Sequence, residues 1–298
     1  MNILKELEQY GDVKTNKSFK DITTIKIGGA IKYLISPFSF EDLRRLMAYI
    51  KENKLKYKII GKGSNLVCQD EPYDGIVITL DQLNNCYFEN NRVTVESGQS
   101  AIRLANMALT NGLSGLEFIH GIPGSIGGLI FMNAGAYKMS ISDVLEKVMV
   151  LKGDEVEWMD NAECEFSYRH SIFQEHADWI ILAAIFKLEP KDPKEIKALM
   201  DERFERRKQT QPLDKPSCGS CFKNPEGQYV WQLIDGCNLR GHKINGIQIS
   251  EKHPNFVVNI GGGQAKDFVA AIDLIKRSIK DKYGIDLKLE VELFGDAK

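Results

Sequence analysis

Ser220 stands between two cysteines in the run KPSCGSCFKNP, residues 215–225. A Cys-x-x-Cys can be half of a zinc site or a redox dithiol, and the serine hydroxyl it encloses can itself move a proton. Zinc requires a second pair of ligands, and a dithiol requires a helix start. Cys237 is the one further cysteine nearby, and His242 and His253 lack finger spacing. The pair therefore lacks the partners that metal chemistry needs, and the serine becomes the residue to explain.

Three glycine-rich stretches offer a second kind of chemistry: GKGSN (61–65), HGIPGSIGG (120–128) running into FMNAGAY (131–137), and NIGGGQ (259–264). Glycine lets a ligand approach main-chain N–H groups, so such loops suit phosphates. GKGSN follows a β-type run but has no third glycine and no helix directly after it, so it is not a dinucleotide fingerprint. No Gly-x4-Gly-Lys-Ser/Thr is present, which excludes a Walker loop. Each loop singly reads as a tight turn. The second differs, with five glycines, a proline, Asn133 and small residues over eighteen positions and hardly a charge. That composition suits a wall for a planar cofactor bearing a pyrophosphate, held by backbone donors without a side-chain cation.

At 298 residues the chain can bury a sizeable core and is expected to form two domains. A net charge of −2 gives no field for nucleic acid, and the lysine-rich runs 51–58 and 203–208 read as solvated helix faces. No apolar run reaches the ~18–20 residues of a membrane span. The N-terminal stretch MNILKELEQYGDVKTNKS reads as a short amphipathic helix rather than a secretory signal, and the six scattered cysteines form no framework. A cytoplasmic protein with reduced thiols is expected, acting as a monomer or weak oligomer without nucleic-acid or membrane partners.

These candidates must be positioned by elements that the periodicity foretells. Phe40, Leu43, Leu46, Met47 and Ile50 lie at helical spacing behind the N-cap Ser39. YKII leads into the first glycine loop, and DGIVITL and RVTVESG are further strands. SAIRLANMALTNGL is a helix capped by Ser100 and closed by Gly112. Val144 to Leu188 alternates like an antiparallel meander ending in WIILAAIFKL. After the break at EPKDP come a charged helix (193–208), a helix near Tyr229 to Asp235 and strands Ile247–Ile249 and Phe256–Ile260. A long helix Ala265–Tyr283 and a terminal strand Asp286–Phe294 follow. The mixture lacks the alternation of a doubly wound sheet and indicates α+β, with two domains meeting near residues 190–210.

The segment GLEFIHGIPGSIGGLIFMNAGAY resembles the flavin pyrophosphate-binding segment of the UDP-N-acetylenolpyruvoylglucosamine reductase family, enzymes of peptidoglycan precursor synthesis. TTIKIGG (23–29) and GKGSNLV (61–67) are similar to the family's two preceding flavin-contacting motifs, and the likeness runs from about residue 20 to the C-terminus. It implies an FAD-binding domain of the vanillyl-alcohol-oxidase (PCMH) type over residues 1–192, in two lobes. A smaller α+β substrate-binding domain would span residues 193–298. By the same resemblance Ile27, Gly28, Gly61, Lys62, Gly63, Ser64, Asn65, Leu66, Gly121, Pro123, Gly124, Ser125, Gly127, Gly128, Asn133, Ala134 and Gly135 would contact FAD without a covalent bond. Lys62 departs from the family's usual glycine and could lie near the pyrophosphate. The short path from Pro190 to Cys218 leaves no room for the tyrosine-bearing loop of one subtype, which implies the shorter subtype.

The family reduces an enolpyruvyl ether, with NADPH reducing FAD and the flavin passing hydride to the alkene. An enol ether is electron-rich, so its carboxylate must be made electron-withdrawing for hydride to add, and the resulting enolate-like carbon then needs a proton. The resemblance assigns Arg169, in SYRHSIF, to the carboxylate, Ser220, in CGSCFKNP, as the proton donor, and Glu290, in LKLEVELFG, to the carboxylate side. Glu292 competes with Glu290, since strand alternation puts both on one face. Cys218 and Cys221 then read as small fillers around Ser220. Lys223 and Asn224 would hold the UDP-sugar, with His253 and Asn255 as further polar contacts; His253 is equally a structural histidine. Two other readings stand beside this one: an oxidase of the same fold, for which His120 would be the covalent attachment point, and a non-catalytic flavin-binding module.

Overall fold

Ser39 accepts a hydrogen bond from the Asp42 N–H and opens the helix Phe40–Glu52, whose Leu43, Leu46 and Ile50 are buried. Ser100 does the same for Ala101–Thr110, with Gly112 beyond it at φ +65°. The computed structural model describes residues 3–295. The amphipathic N-terminal segment is a helix over Ile3–Leu7.

Contacts divide the chain into two units that are discontinuous in sequence. The first comprises Met1–Thr15, Tyr33–Lys62 and Gly75–Glu205; the second comprises Asn16–Lys32, Gly63–Asp74 and Arg206–Lys298. This division by packing departs from the continuous split expected at 192/193, because two short early segments pack with the C-terminal third.

In the first unit the expected antiparallel strands form but not as a meander, because Trp179–Lys187 pairs with Leu145–Lys152 and not with the intervening Glu155–Asp160. Val148, Val150, Ala184 and Phe186 are fully buried along Leu145–Lys152 and Trp179–Lys187, which pair antiparallel. Glu155–Asp160 lies on one side of Leu145–Lys152, and Arg92–Glu96 with Cys86–Glu89 extends the sheet beyond Trp179–Lys187. The helices Ala101–Thr110 and Ile126–Phe131 contribute Leu104, Ala108, Ile126 and Ile130 to the same core. A second core of this unit gathers Leu43, Leu46 and Ile50 with Ile76 and Ile78, where Tyr57–Ile60 runs parallel to Ile76–Thr79.

In the second unit, Ser217–Ser220, Phe256–Asn259, Ile247–Ile249 and Lys243–Ile244 form an antiparallel sheet in that order. The helix Ala265–Tyr283 places Phe268, Ile272, Ile275 and Ile279 at helical spacing against Ile247, Ile249 and Val257. The terminal strand is shorter than expected. Only Glu292–Phe294 is strand, and it runs parallel to Leu66–Cys68, a segment more than two hundred residues earlier. Among the described residues no helix is long and apolar enough to cross a membrane.

Candidate active site

In the first unit the glycine segments meet at close quarters. A Cβ on Gly61 would lie 2.3 Å from Ser125 Oγ, and one on Gly127 would lie 2.9 Å from the Cβ of Ser97. The approach is possible only because these positions lack side chains. Around this junction backbone donors go unused. The N–H groups of Gly61, Lys62, Gly121, Ser125 and Gly128 have no acceptor among the described residues. Ser97 Oγ is buried and unpartnered. Buried or clustered donors without acceptors fit a ligand rich in acceptor oxygens. The pyrophosphate of FAD is such a ligand, and the cradle suits it. Ser97 was not foreseen; its only signal is the small-residue run SGQS between a strand and a helix cap.

The expected flavin contacts do not all offer their side chains. Lys62 is engaged by Asp81 at 2.5 Å rather than left for a phosphate. Asn133 is buried, donating through Nδ2 to the Ser167 carbonyl (2.9 Å) and accepting at Oδ1 from the Ser142 N–H (3.1 Å). Its side chain therefore ties loops together. Pro123 is exposed, Gly124 is buried, and Ala134 and Gly135 are half-buried behind Asn133. Arg169 lies in the same unit, with Nη2 donating to the Gly135 carbonyl at 2.7 Å and the guanidinium 5.2 Å from the Tyr168 ring.

In the second unit the loop Gly63 to Asn65 also carries N–H groups without acceptors among the described residues. Ile27 is buried in the core, Gly28 has φ +116°, and Leu66 opens the strand beside Glu292–Phe294. Here Ser220 and Glu290 are brought together. Glu290 donates its N–H to the carbonyl of Cys221 at 2.9 Å, and Leu289 bridges Phe222. Asn65 Nδ2 donates to the Glu290 carbonyl at 2.9 Å, while the Glu292 N–H donates back to the Asn65 carbonyl at 3.0 Å. The Val291 N–H also reaches Cys221 O, so two successive donors share one acceptor, the mark of a bulge. The simple alternation that equated Glu290 with Glu292 is broken there: Glu290 is half-buried and Glu292 exposed.

The cysteines beside Ser220 are both buried and free. A hydrogen bond between the two thiols, and then burial, holds the Cys218 thiol well above its ordinary range. No cluster of three metal-ligating side chains occurs among the described residues. Lys223 is half-buried, and its N–H donates to the Lys288 carbonyl at 2.9 Å. Asn224 caps the helix Val230–Gly236, accepting from the Val230 N–H at 3.0 Å. Asn255 is only 5% exposed, with both ends of its amide bonded to Phe222, so it supports the serine's strand instead of presenting itself to a substrate. His253 packs edge-on to Phe256, burial lowers its pKa, and its buried Nδ1 has no partner. His120, in the first unit, is likewise shifted down by burial.

NIGGGQ is no phosphate loop. The helix that follows it is already capped by carboxylates, with Ala265 and Lys266 N–H groups donating to Asp70 and the Gln264 N–H to Asp267. A basin of about 630 Å³ beside it is lined by Lys215, Lys243, Gln248 and Glu251 among others, and none of the expected substrate contacts lines it.

Comparison with known proteins gives these features a class. Residues 31–157 match the family described as FAD binding domain, so the chain is an α+β flavin-binding protein, as the element pattern and the family resemblance implied. Residues 211–294 match the family described as UDP-N-acetylenolpyruvoylglucosamine reductase, C-terminal domain. UDP-N-acetylenolpyruvoylglucosamine reductase of Bacillus licheniformis is 43% identical over 99% of this chain and 98% of its own length. The Bacillus subtilis enzyme of that name is 42% identical over 98% and 97%. The crystal structure of UDP-N-acetylenolpyruvylglucosamine reductase (MurB) from Thermus caldophilus superposes with a TM-score of 0.82 at 31% identity, covering 96% of this chain and all of that one. The chain belongs to the UDP-N-acetylenolpyruvoylglucosamine reductase family.

Proposed function

We propose that this chain catalyses the NADPH-dependent, FAD-mediated reduction of UDP-N-acetylglucosamine enolpyruvate to UDP-N-acetylmuramate in peptidoglycan precursor synthesis. Family membership across nearly the whole chain supports the reaction. The single structural observation that carries the mechanism is the tie of Glu290 to the Cys221 carbonyl, which sets a carboxylic residue beside Ser220.

FAD, when bound, supplies the hydride chemistry, taking a hydride from NADPH and giving one to the enolpyruvyl double bond. Gly61, Lys62, Ser97, Gly121, Ser125 and Gly128 would hold it by main-chain N–H groups and one hydroxyl, with Gly63, Ser64 and Asn65 adding theirs. Arg169 pairs its guanidinium with the substrate carboxylate, withdrawing electrons from the alkene and steadying the enolate-like charge that follows. Glu290 acts on the carboxylate side of the substrate. Ser220 breaks its O–H bond and gives the proton to the carbon next to the carboxylate. An alcohol suffices there because an enolate-type carbon is strongly basic. Lys223, three residues on, favours the alkoxide left behind, and Lys223 and Asn224 hold the UDP portion.

NADPH and nucleotide sugars are cytoplasmic metabolites, which supports a cytoplasmic enzyme. We assign it to the subtype without the tyrosine loop, because the helix Pro193–Thr210 takes up most of the path to Cys218. A monomer or weak oligomer suffices for this chemistry.

The test is a stopped-flow experiment in two halves under argon: NADPH should bleach the flavin, and the enolpyruvyl substrate should restore its colour. A flavin that stays bleached in the presence of substrate would end this reading.

A further inference from the structure

Arg169 occupies a backbone position that ordinarily belongs to glycine. Ser167 and His170 exchange backbone hydrogen bonds at 3.2 Å in both directions, which makes Tyr168 and Arg169 the two residues of a tight turn. Arg169 has φ +57°. A turn with φ > 0 only at its second central residue is of the type that takes glycine there. An arginine in that conformation is strained, and strain of this kind persists only where the surroundings over-determine it.

The surroundings do so through one carboxamide. Gln174 Nε2 donates to the Phe131 carbonyl at 2.9 Å and to the Arg169 carbonyl at 3.2 Å. Ser171 Oγ donates to the same Phe131 carbonyl at 2.7 Å. Asn133, two residues beyond Phe131, holds the other end of the turn through Ser167 O. The guanidinium then returns to the same segment, at Gly135 O. Gln174 thus fastens the backbone of the strained arginine to the segment that receives its side chain. The residue itself carries no sequence signal, being a lone glutamine at the end of a single turn, Ile172–Gln174.

We propose that Gln174 is a positioning residue for Arg169, its NH2 group locking the turn so that the guanidinium keeps one orientation toward the substrate carboxylate. The proposal rests on the reading above that Arg169 receives that carboxylate. Gln174 touches neither substrate nor flavin in this role. Its loss should therefore leave the NADPH half-reaction alone and weaken the half-reaction that depends on Arg169.

Two substitutions separate the donor from the side chain's bulk. Gln174→Glu keeps the shape but cannot donate to either carbonyl when ionised, and Gln174→Met removes the donor without adding charge. In both, bound FAD and the rate of bleaching by NADPH should stay within about twofold of wild type, since no bond to the flavin is lost. Reoxidation by the enolpyruvyl substrate should slow by about 10–100-fold, the usual cost of a misplaced positioning group. The decisive comparison is a double-mutant cycle. In an Arg169→Ala background, Gln174→Met should cause no further slowing, because there is no guanidinium left to position. Equal slowing in both backgrounds would overturn the proposal in favour of a general structural role, as would Gln174 variants that reoxidise at the wild-type rate beside a slow Arg169→Ala. If Arg169→Ala alone reoxidises normally, the assignment of Arg169 fails and this proposal falls with it. Glutamine replaced by asparagine is too short to span both carbonyls and should not restore the rate; full restoration would also overturn it.

Discussion

Both ends of the Asn255 carboxamide are hydrogen-bonded to the backbone of Phe222, Oδ1 accepting its N–H at 3.1 Å and Nδ2 donating to its carbonyl at 2.9 Å. Phe222 is two residues from Ser220, and the Cys221 N–H donates in turn to the Asn255 carbonyl at 2.8 Å. The chain just after the serine is therefore pinned at two successive residues, Cys221 and Phe222, by one buried residue. Asn255→Ala should lower the free energy of unfolding by about 2–4 kcal/mol, because two buried backbone groups lose their partners. Urea unfolding measures this. A loss within error of zero would mean that water or a shifted loop takes over both bonds.

Ser220→Ala separates the two halves of the reaction. Flavin reduction by NADPH should proceed at close to the wild-type rate, while reoxidation by substrate should fall roughly 10²–10⁴-fold, the range for loss of a general acid. Single-turnover traces of each half decide it. Unimpaired reoxidation would leave the proton without its assigned source.

The junction of Gly61 with Ser125 gives a test of the flavin cradle that does not depend on turnover. Gly61→Ala puts a methyl group 2.3 Å from Ser125 Oγ. Overpacking of this kind costs about 1–3 kcal/mol, enough to weaken FAD binding by about tenfold or more. Adding Ser125→Ala removes the clashing oxygen and leaves the next atom at 3.6 Å, an ordinary contact. The double variant should recover most of the affinity in a fluorescence titration of apoprotein with FAD. Equal binding by all three proteins would show that this junction is not part of the cofactor site.

His253 and His120 should make stability depend on pH in a defined window. Burial lowers the pKa of each below the ordinary 6.5. Between the lowered value and 6.5 the unfolded chain binds more protons than the folded one, so stability rises with pH there. Acidification below about 6.5 should accordingly shift the urea midpoint down before the carboxylates titrate. His253→Gln should flatten part of that slope. An unchanged slope in His253→Gln would mean that its imidazole is as easily protonated folded as unfolded.

The thiols should be inert and metal-independent. Cys68, Cys164, Cys218 and Cys221 are buried, and burial pushes Cys164 up to about 12 and the partly exposed Cys86 to about 11. Alkylation by iodoacetamide at pH 8 should therefore leave these five unmodified until the protein is unfolded. Dialysis against a chelator should leave both half-reactions unchanged; loss of either would reveal a metal that the described side chains do not explain.

The helices were legible from periodicity and caps. Ala265–Tyr283 has the bounds that its apolar spacing predicts, and Ser39 and Ser100 cap the helices they precede. The same local reading found the strands between Val144 and Leu188, because strand alternation is encoded within a few neighbouring residues, but not their order, in which Trp179–Lys187 returns to Leu145–Lys152. The glycine-rich segments and Ser220 stood out by residue type, while their expected flavin and proton-donor roles came from the family resemblance.

Long-range bonding was not legible in this way. The clasp between Asn65 and the backbone at Glu290 and Glu292 joins residues more than two hundred positions apart, and nothing local to either announces it. The bulge at Glu290 and Val291 overrode the alternation that made Glu290 and Glu292 equivalent. Asn133 and Asn255 looked like ligand contacts because an amide suits a ligand and a buried carbonyl equally well. By itself the sequence determined the elements, the chemistry-bearing residue types and the α+β class. Tertiary structure alone decided which backbone groups those side chains meet, because a hydrogen bond between distant segments depends on how whole elements pack, which no short stretch of sequence encodes.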